Sequence, residues 1–161
     1  MLGQKVLLNQ MPIAIKDSKI DISSEETTKE LAKDLTHYLK GGEIVYLYGE
    51  MGVGKTTFVR YLINQFQKNK KLHITEVTSP TFNLLNEYDI NDLVIKHYDL
   101  FRLKDESEIK NLDLFENNQS TITLIEWPQL ISKNKSIKTI DLIFSYENEL
   151  NNRSVKIDGL N

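Results

Sequence analysis

The stretch IVYLYGEMGVGKTTF, Ile44 to Phe58, holds three of the chain's seven glycines within six residues and follows the last with a lysine. Glycine loses more backbone freedom on folding than any other residue, so such a cluster needs a cause. Before it, Ile44 to Tyr48 is an unbroken apolar run, as in a short strand buried on both faces of a parallel sheet. After it, Phe58, Tyr61, Leu62 and Phe66 recur with helical period, which predicts a helix over 55–67. A strand feeds a glycine loop that opens a helix.

Gly49, four residues, Gly54, Lys55 and Thr56 fit the pattern G-x-x-x-x-G-K-[ST], and the flanking strand and helix are the setting this phosphate-binding loop (P-loop) requires. Gly49, Gly52 and Gly54 let the loop wind until successive N–H groups point inward as an anion nest. The helix that follows turns its positive end towards the same point. Lys55 adds a mobile charge for β and γ oxygens. The Thr56 hydroxyl is placed to ligate Mg²⁺, and Thr57 to contact the α-phosphate.

Such a loop needs a second carboxylate, at the end of a neighbouring apolar strand, for the Mg²⁺ shell. Two runs compete. TITLIEW leads through apolar and Thr residues into Glu126 and is the cleaner strand. LVIKHYDLF ends close to Asp99 and carries Lys96 and His97, which suits a strand near an edge or the rim of a site. Glu126 is therefore the candidate metal-shell residue, and Asp99 a further site residue; with Lys55 they form the candidate catalytic set. His97 is a candidate for orienting a water or a carboxylate, with a structural role as the alternative. Trp127, the only tryptophan, directly follows Glu126, which puts it in the core or at the rim of the cleft. In TEVTSPTFNL the hydroxyls of Thr75, Thr78, Ser79 and Thr81, with Pro80, gather behind the P-loop helix. They read either as a segment that reorders with the nucleotide or as an ordinary Ser-Pro turn.

The guanine-reading motif N-K-x-D is absent, which favours adenine. Small-molecule kinases need several arginines to neutralise a transferred phosphoryl group, and this chain has only Arg60, Arg102 and Arg153, far apart. Hydrolysis is favoured over transfer. A small-molecule kinase remains the rival enzyme reading, and a non-hydrolysing ATP-sensing, RNA-binding module the rival outside enzymes, with KNKK at 68–71 as its candidate contact.

The remaining sequence sets the frame. The chain has 161 residues, 40% hydrophobic and 27% charged, with a net charge of −3. That suits one domain and gives no global field favouring nucleic acid or an anionic membrane. The absence of cysteine excludes disulfides, thiolate metal sites and cysteine nucleophiles. No segment approaches the roughly 20 apolar residues of a membrane span, and the expectation is a cytoplasmic protein. SSEETTKELAKDLTHYLKGG predicts an amphipathic helix with a capping box from Ser23 to Glu26 and a stop at Gly41-Gly42. TFNLLNEY, DLVIKHYDLF, STITLIEW, SIKTIDLIFSY and RSVKI are strand-like, and KDESEIKNLDLFENN predicts a short acidic helix. The expected fold is α/β, a single-domain P-loop NTPase fold with a central mixed β-sheet flanked by helices. Residues 1–22 read as an N-terminal extension or edge strand, and 23–161 as the P-loop domain.

YLYGEMGVGKTTF, SPTFNLLNEY, HYDLFRL and LIEWP, in that order and spacing, resemble the bacterial TsaE proteins over roughly Ser23 to Leu130. These are small P-loop ATPases of the pathway that makes N6-threonylcarbamoyladenosine at tRNA position 37. The resemblance implies nucleotide phosphate binding by Gly49, Glu50, Met51, Gly52, Val53, Gly54, Lys55, Thr56 and Thr57. It makes Thr56 and Glu126 the metal-binding pair, Asp99 a residue needed for hydrolysis, and Thr78, Ser79, Pro80 and Thr81 a switch-like loop. Trp127 becomes a sensitive rim residue, and Thr27 and Arg153 candidates near the adenine. Glu50, where the family usually has Asp, is the departure that bears on metal or water placement. The resemblance further implies ATP and Mg²⁺ as cofactors, association with the transferase TsaD and its partner TsaB, tRNA contact only indirectly, and no membrane.

Overall fold

A computed structural model describes residues 19–116, 118–132, 137–149 and 151–160. The N-terminal extension expected over 1–22 therefore lies outside the described residues up to residue 18. The expected α/β architecture is found. The strands are β1 (Lys19–Asp21), β2 (Ile44–Tyr48), β3 (Leu85–Ile90), β4 (Leu93–Asp99), β5 (Thr121–Glu126), β6 (Thr139–Tyr146) and β7 (Arg153–Asp158). Among the described residues they form one seven-stranded sheet, ordered β1-β7-β6-β2-β5-β4-β3. The inner strands β6, β2, β5 and β4 run parallel, while β3, β7 and β1 pair antiparallel outside them.

Side chains alternate along a strand, so β2 feeds two cores at once. Val45 and Leu47 pack with α1 (Glu25–Leu35) and α2 (Lys55–Asn69), through Leu31, Leu35, Phe58 and Leu62. Ile44 and Tyr46 pack on the opposite face with Tyr98, Leu100, Leu114 and Ile125. That second face is covered by the short helix α3 (Glu106–Ile109), a 3₁₀ turn at Lys110–Leu112, and the chain around Trp127. Burial on both faces is why β2 reads as a continuous apolar run rather than an alternating one. On β4 and β5 the same alternation sends His97, Asp99 and Glu126 out on the α2 side, which Ile95, Ile122 and Leu124 share.

Three local expectations are corrected. The capping box does not form. Ser24 is the N-cap of α1 and its side chain makes no cap hydrogen bond, while the Ser23 hydroxyl accepts the Arg153 N–H at 3.0 Å. The helix also stops at Leu35, well before Gly41. His37 and Tyr38 donate to the carbonyls three residues back, tightening the last turn, and the Thr36 hydroxyl bonds the Lys33 carbonyl at 2.7 Å. Leu39 is buried all the same. Its four-residue spacing from Leu35 is met by a turn instead of a helix. Likewise β3 starts only at Leu85, because Leu84 takes a left-handed backbone (φ 65°) and donates back to Pro80.

Candidate functional site

The cleft opens where β2, β4 and β5 end and α2 begins. Gly49 takes φ +147°, and a Cβ there would stand 2.9 Å from Phe144 Cβ, the Phe144 carbonyl oxygen and Val53 Cγ1. Only glycine fits that passage. Gly54, at φ +119°, is the N-cap of α2 and offers no side chain to its first turn, which leaves the helix amides facing the cleft. Val53 is fully buried, so its side chain anchors the loop in the core while its amide stays in the turn. Met51, Gly52, Gly54, Lys55, Thr56 and Thr57 line the cleft on this side.

Lys55 is 4% exposed. Its ammonium donates to the Gly49 carbonyl and sits 3.6 Å from the centroid of the Trp127 ring, a cation–π contact. Burial holds its pKa below the ordinary 10.5, and the nearby carboxylates of Glu126 and Asp99 oppose that shift. Trp127 itself has a left-handed backbone (φ 58°, ψ 58°) and packs on Phe101 at 4.8 Å between ring centroids. The sharp turn is what brings its ring back over the P-loop lysine.

The opposite wall carries the carboxylates. Asp99 and Glu126 are register partners on β4 and β5. The Thr56 hydroxyl lies 3.0 Å from Glu126 Oε1 and 3.3 Å from Oε2. Glu126 Oε2 is also 2.6 Å from His97 Nε2. Asp99 accepts from the Ser79 hydroxyl at 2.6 Å and from the Phe101 N–H at 3.0 Å. Ser79, Thr81, Asp99, Phe101, Glu126, Trp127 and Arg153 complete the lining.

The structure thus gathers most of the residues singled out in the sequence, and leaves some aside. Thr27, on α1, does not line the cleft, nor do the side chains of Glu50, Thr78 and Pro80. Thr78 is exposed and its carbonyl accepts from Asn86, while Pro80 is buried as a turn residue. Thr75 turns away altogether: Gln67 donates to its hydroxyl and accepts its amide, stapling the chain to α2. Arg153 reaches the loop, with Nη1 3.7 Å from where a Gly54 Cβ would stand. Sequence reasoning missed Phe101 as a lining residue. It also left the partner of His97 open, although His97 and Asp99, two apart on a strand, had to share a face.

Thr56 and Glu126 offer hard oxygen donors side by side, and among the described residues no group of three or more His, Cys, Asp or Glu could hold a metal unaided. That donor set fits a cation that keeps waters and takes further oxygens from a phosphate, as Mg²⁺ does.

A buried parallel strand, a glycine-wound turn and a helix start, with a carboxylate on the next strand, define an α/β protein of the P-loop class. A family model described as "Threonylcarbamoyl adenosine biosynthesis protein TsaE" matches residues 22–155, and the chain belongs to that family. Proteins named tRNA threonylcarbamoyladenosine biosynthesis protein TsaE are similar to it. The one from Rickettsia conorii is 44% identical over 110 residues, 68% of this chain and 61% of that protein. The one from Bacillus subtilis is 36% identical over 120 residues, 74% of this chain and 72% of that protein. The matched stretch spans about three fifths of the Rickettsia conorii and Rickettsia felis relatives. The fold is similar to a crystal structure of Bacillus subtilis YdiB, with a TM-score of 0.66, covering 91% of this chain and 88% of that one at 21% identity.

Proposed function

We propose that this chain binds ATP with Mg²⁺ in the cleft and hydrolyses it slowly. On this reading it serves threonylcarbamoylation of tRNA adenosine 37 by associating with the TsaD–TsaB transferase complex in a nucleotide-dependent way. The observation that carries the Mg²⁺–nucleotide part of this reading is the Thr56–Glu126 pair at 3.0 Å, set beside the first turn of α2. A hydroxyl at the first turn of the helix beside a strand-end carboxylate is the oxygen pair that a phosphate-bound divalent cation takes.

Within this reading the loop amides and Lys55 hold the phosphates, and Lys55 leaves Gly49 and Trp127 to do so. Thr56 and Glu126 hold Mg²⁺, which when bound neutralises charge on the β- and γ-phosphates. Asp99, fixed by Ser79 and the Phe101 amide, orients the attacking water and accepts its proton. Arg153, over Gly54, is the candidate contact to the nucleotide's outer part. Because Ser79 belongs to the 78–81 loop, a change at Asp99 is passed to the surface, where a partner can sense it.

The test is steady-state ATP turnover with and without purified TsaD–TsaB, in wild type and Glu126→Ala. Stimulation by the complex, lost with Mg²⁺ dependence in the variant, is expected. Turnover that ignores the complex would sink the coupling, and full Mg²⁺ dependence in Glu126→Ala would sink the metal assignment.

A further inference from the structure

Asp99 and Glu126 stand opposite each other in the parallel register of β4 and β5, and leave the sheet on the same face. Like charges so placed repel. The structure gives each carboxylate its own partners. Asp99 turns to the Ser79 hydroxyl and the Phe101 amide. Glu126 turns to His97, two residues back along β4, with Nε2 and Oε2 2.6 Å apart. The two side chains are 0% and 2% exposed, so the bond is largely shielded from bulk water.

The other ring nitrogen, Nδ1, is buried and has no hydrogen-bond partner. A histidine retained for packing would ordinarily have both polar atoms satisfied. Here the only satisfied nitrogen is the one facing Glu126. An ionised carboxylate can only accept, so the proton between them belongs to Nε2. Glu126 keeps Oε1 for the Thr56 hydroxyl, 3.0 Å away.

We infer that His97 is a positioning residue, whose Nε2–H fixes the Glu126 carboxylate so that Oε1 and the Thr56 hydroxyl converge on one divalent cation. The inference rests on the nucleotide and Mg²⁺ reading given above and adds the group that makes the metal pair rigid. Without the imidazole, Glu126 is held by the Thr56 hydroxyl alone, and its oxygen is less well fixed toward the cation.

The test measures ADP binding to the full chain by calorimetry, once with Mg²⁺ and once with EDTA, and reads the ratio of the two affinities. Partners that orient metal ligands are worth about 10–100-fold in metal affinity, so His97→Leu should cut that ratio by about tenfold or more, with the EDTA affinity kept within about twofold. His97→Gln, whose amide nitrogen reaches the Nε2 position, should restore most of the ratio. His97→Asn, whose amide falls short, should not. A leucine variant with the wild-type ratio overturns the inference, as does an equal loss with EDTA and with Mg²⁺, or a glutamine variant no better than leucine. If the leucine variant does not fold, the contrast between His97→Gln and His97→Asn decides. Wild-type chain that binds no ADP overturns the proposed function, and this inference with it; Mg²⁺-dependent wild-type binding with an unaffected His97→Leu overturns the inference alone.

Discussion

The loops Gly49–Thr57 and Thr78–Phe82 face the same cleft but are held by different forces. The first is fixed from behind, with Val53 fully buried, Gly49 wedged against Phe144, and Phe58 of α2 edge-on to Phe144 at 5.9 Å. The second touches the cleft through the Ser79–Asp99 bond, and Phe82 beyond it is 84% exposed. Close-packed interiors resist small displacements, whereas a loop on a few polar contacts opens at little cost. The contrast in packing predicts a fixed socket on one wall and a movable flap on the other. The flap is held by the Ser79–Asp99 bond, the buried Pro80 and the Arg102 bond to the Phe82 carbonyl at 2.8 Å. The base of the second loop is anchored, because Gln67 of α2 clasps Thr75, so the predicted opening falls to the residues after it.

Four measurements break or sharpen this contrast. Emptying the space behind the fixed wall has the largest effect: Phe58→Ala, at a fully buried position, should lower unfolding free energy by about 3–5 kcal/mol in a denaturant titration. A loss below about 1 kcal/mol would mean that the socket is not braced by the core. Next, Lys55→Ala should weaken ATP binding about 10–150-fold by calorimetry, the worth of a charge-assisted hydrogen bond, and leave the fold intact.

A graded form of the same experiment uses pH. In the free chain the Lys55 pKa lies below 10.5 because its ammonium is buried. Bound phosphate favours the charged form and raises that pKa. Affinity should therefore be flat below the free-chain pKa and fall by up to about tenfold per pH unit above it, starting at lower pH than an ordinary lysine would allow. A curve that stays flat up to 10.5 would contradict the burial of this ammonium. On the movable wall, Ser79→Ala removes one hydrogen bond to a buried carboxylate that keeps the Phe101 amide, and should cost about 1.5 kcal/mol in stability. The same variant should increase proteolytic cutting within 78–82 but not within 49–57. Equal protection of both loops would erase the distinction between them.

The socket was legible in the sequence because its constraints are local. Gly49, Gly54 and Lys55 are needed at fixed spacing by the backbone itself, and Ile44–Tyr48 declares a doubly buried strand. Glu126 was legible for a related reason, as the carboxylate closing an apolar strand. The flap was not, because its contacts join residues far apart in the chain. Ser79 meets Asp99 across twenty positions, and no pattern within TEVTSPTFNL announces that Thr75 faces α2 while Ser79 faces the cleft. The Ser23 cap failed for the same reason. A hydroxyl well suited to its own helix was recruited by the Arg153 backbone instead. Thr27 depended on resemblance alone, and its position on α1 leaves it off the lining.

The stacking of Lys55 over Trp127 gives the molecule a built-in gauge. The chain's sole indole has a positive charge 3.6 Å from its ring centre, a strong perturbation of its light emission. A ligand that pulls the ammonium away must change that emission without any attached dye. Filling and emptying of the socket can then be followed in real time from one native residue.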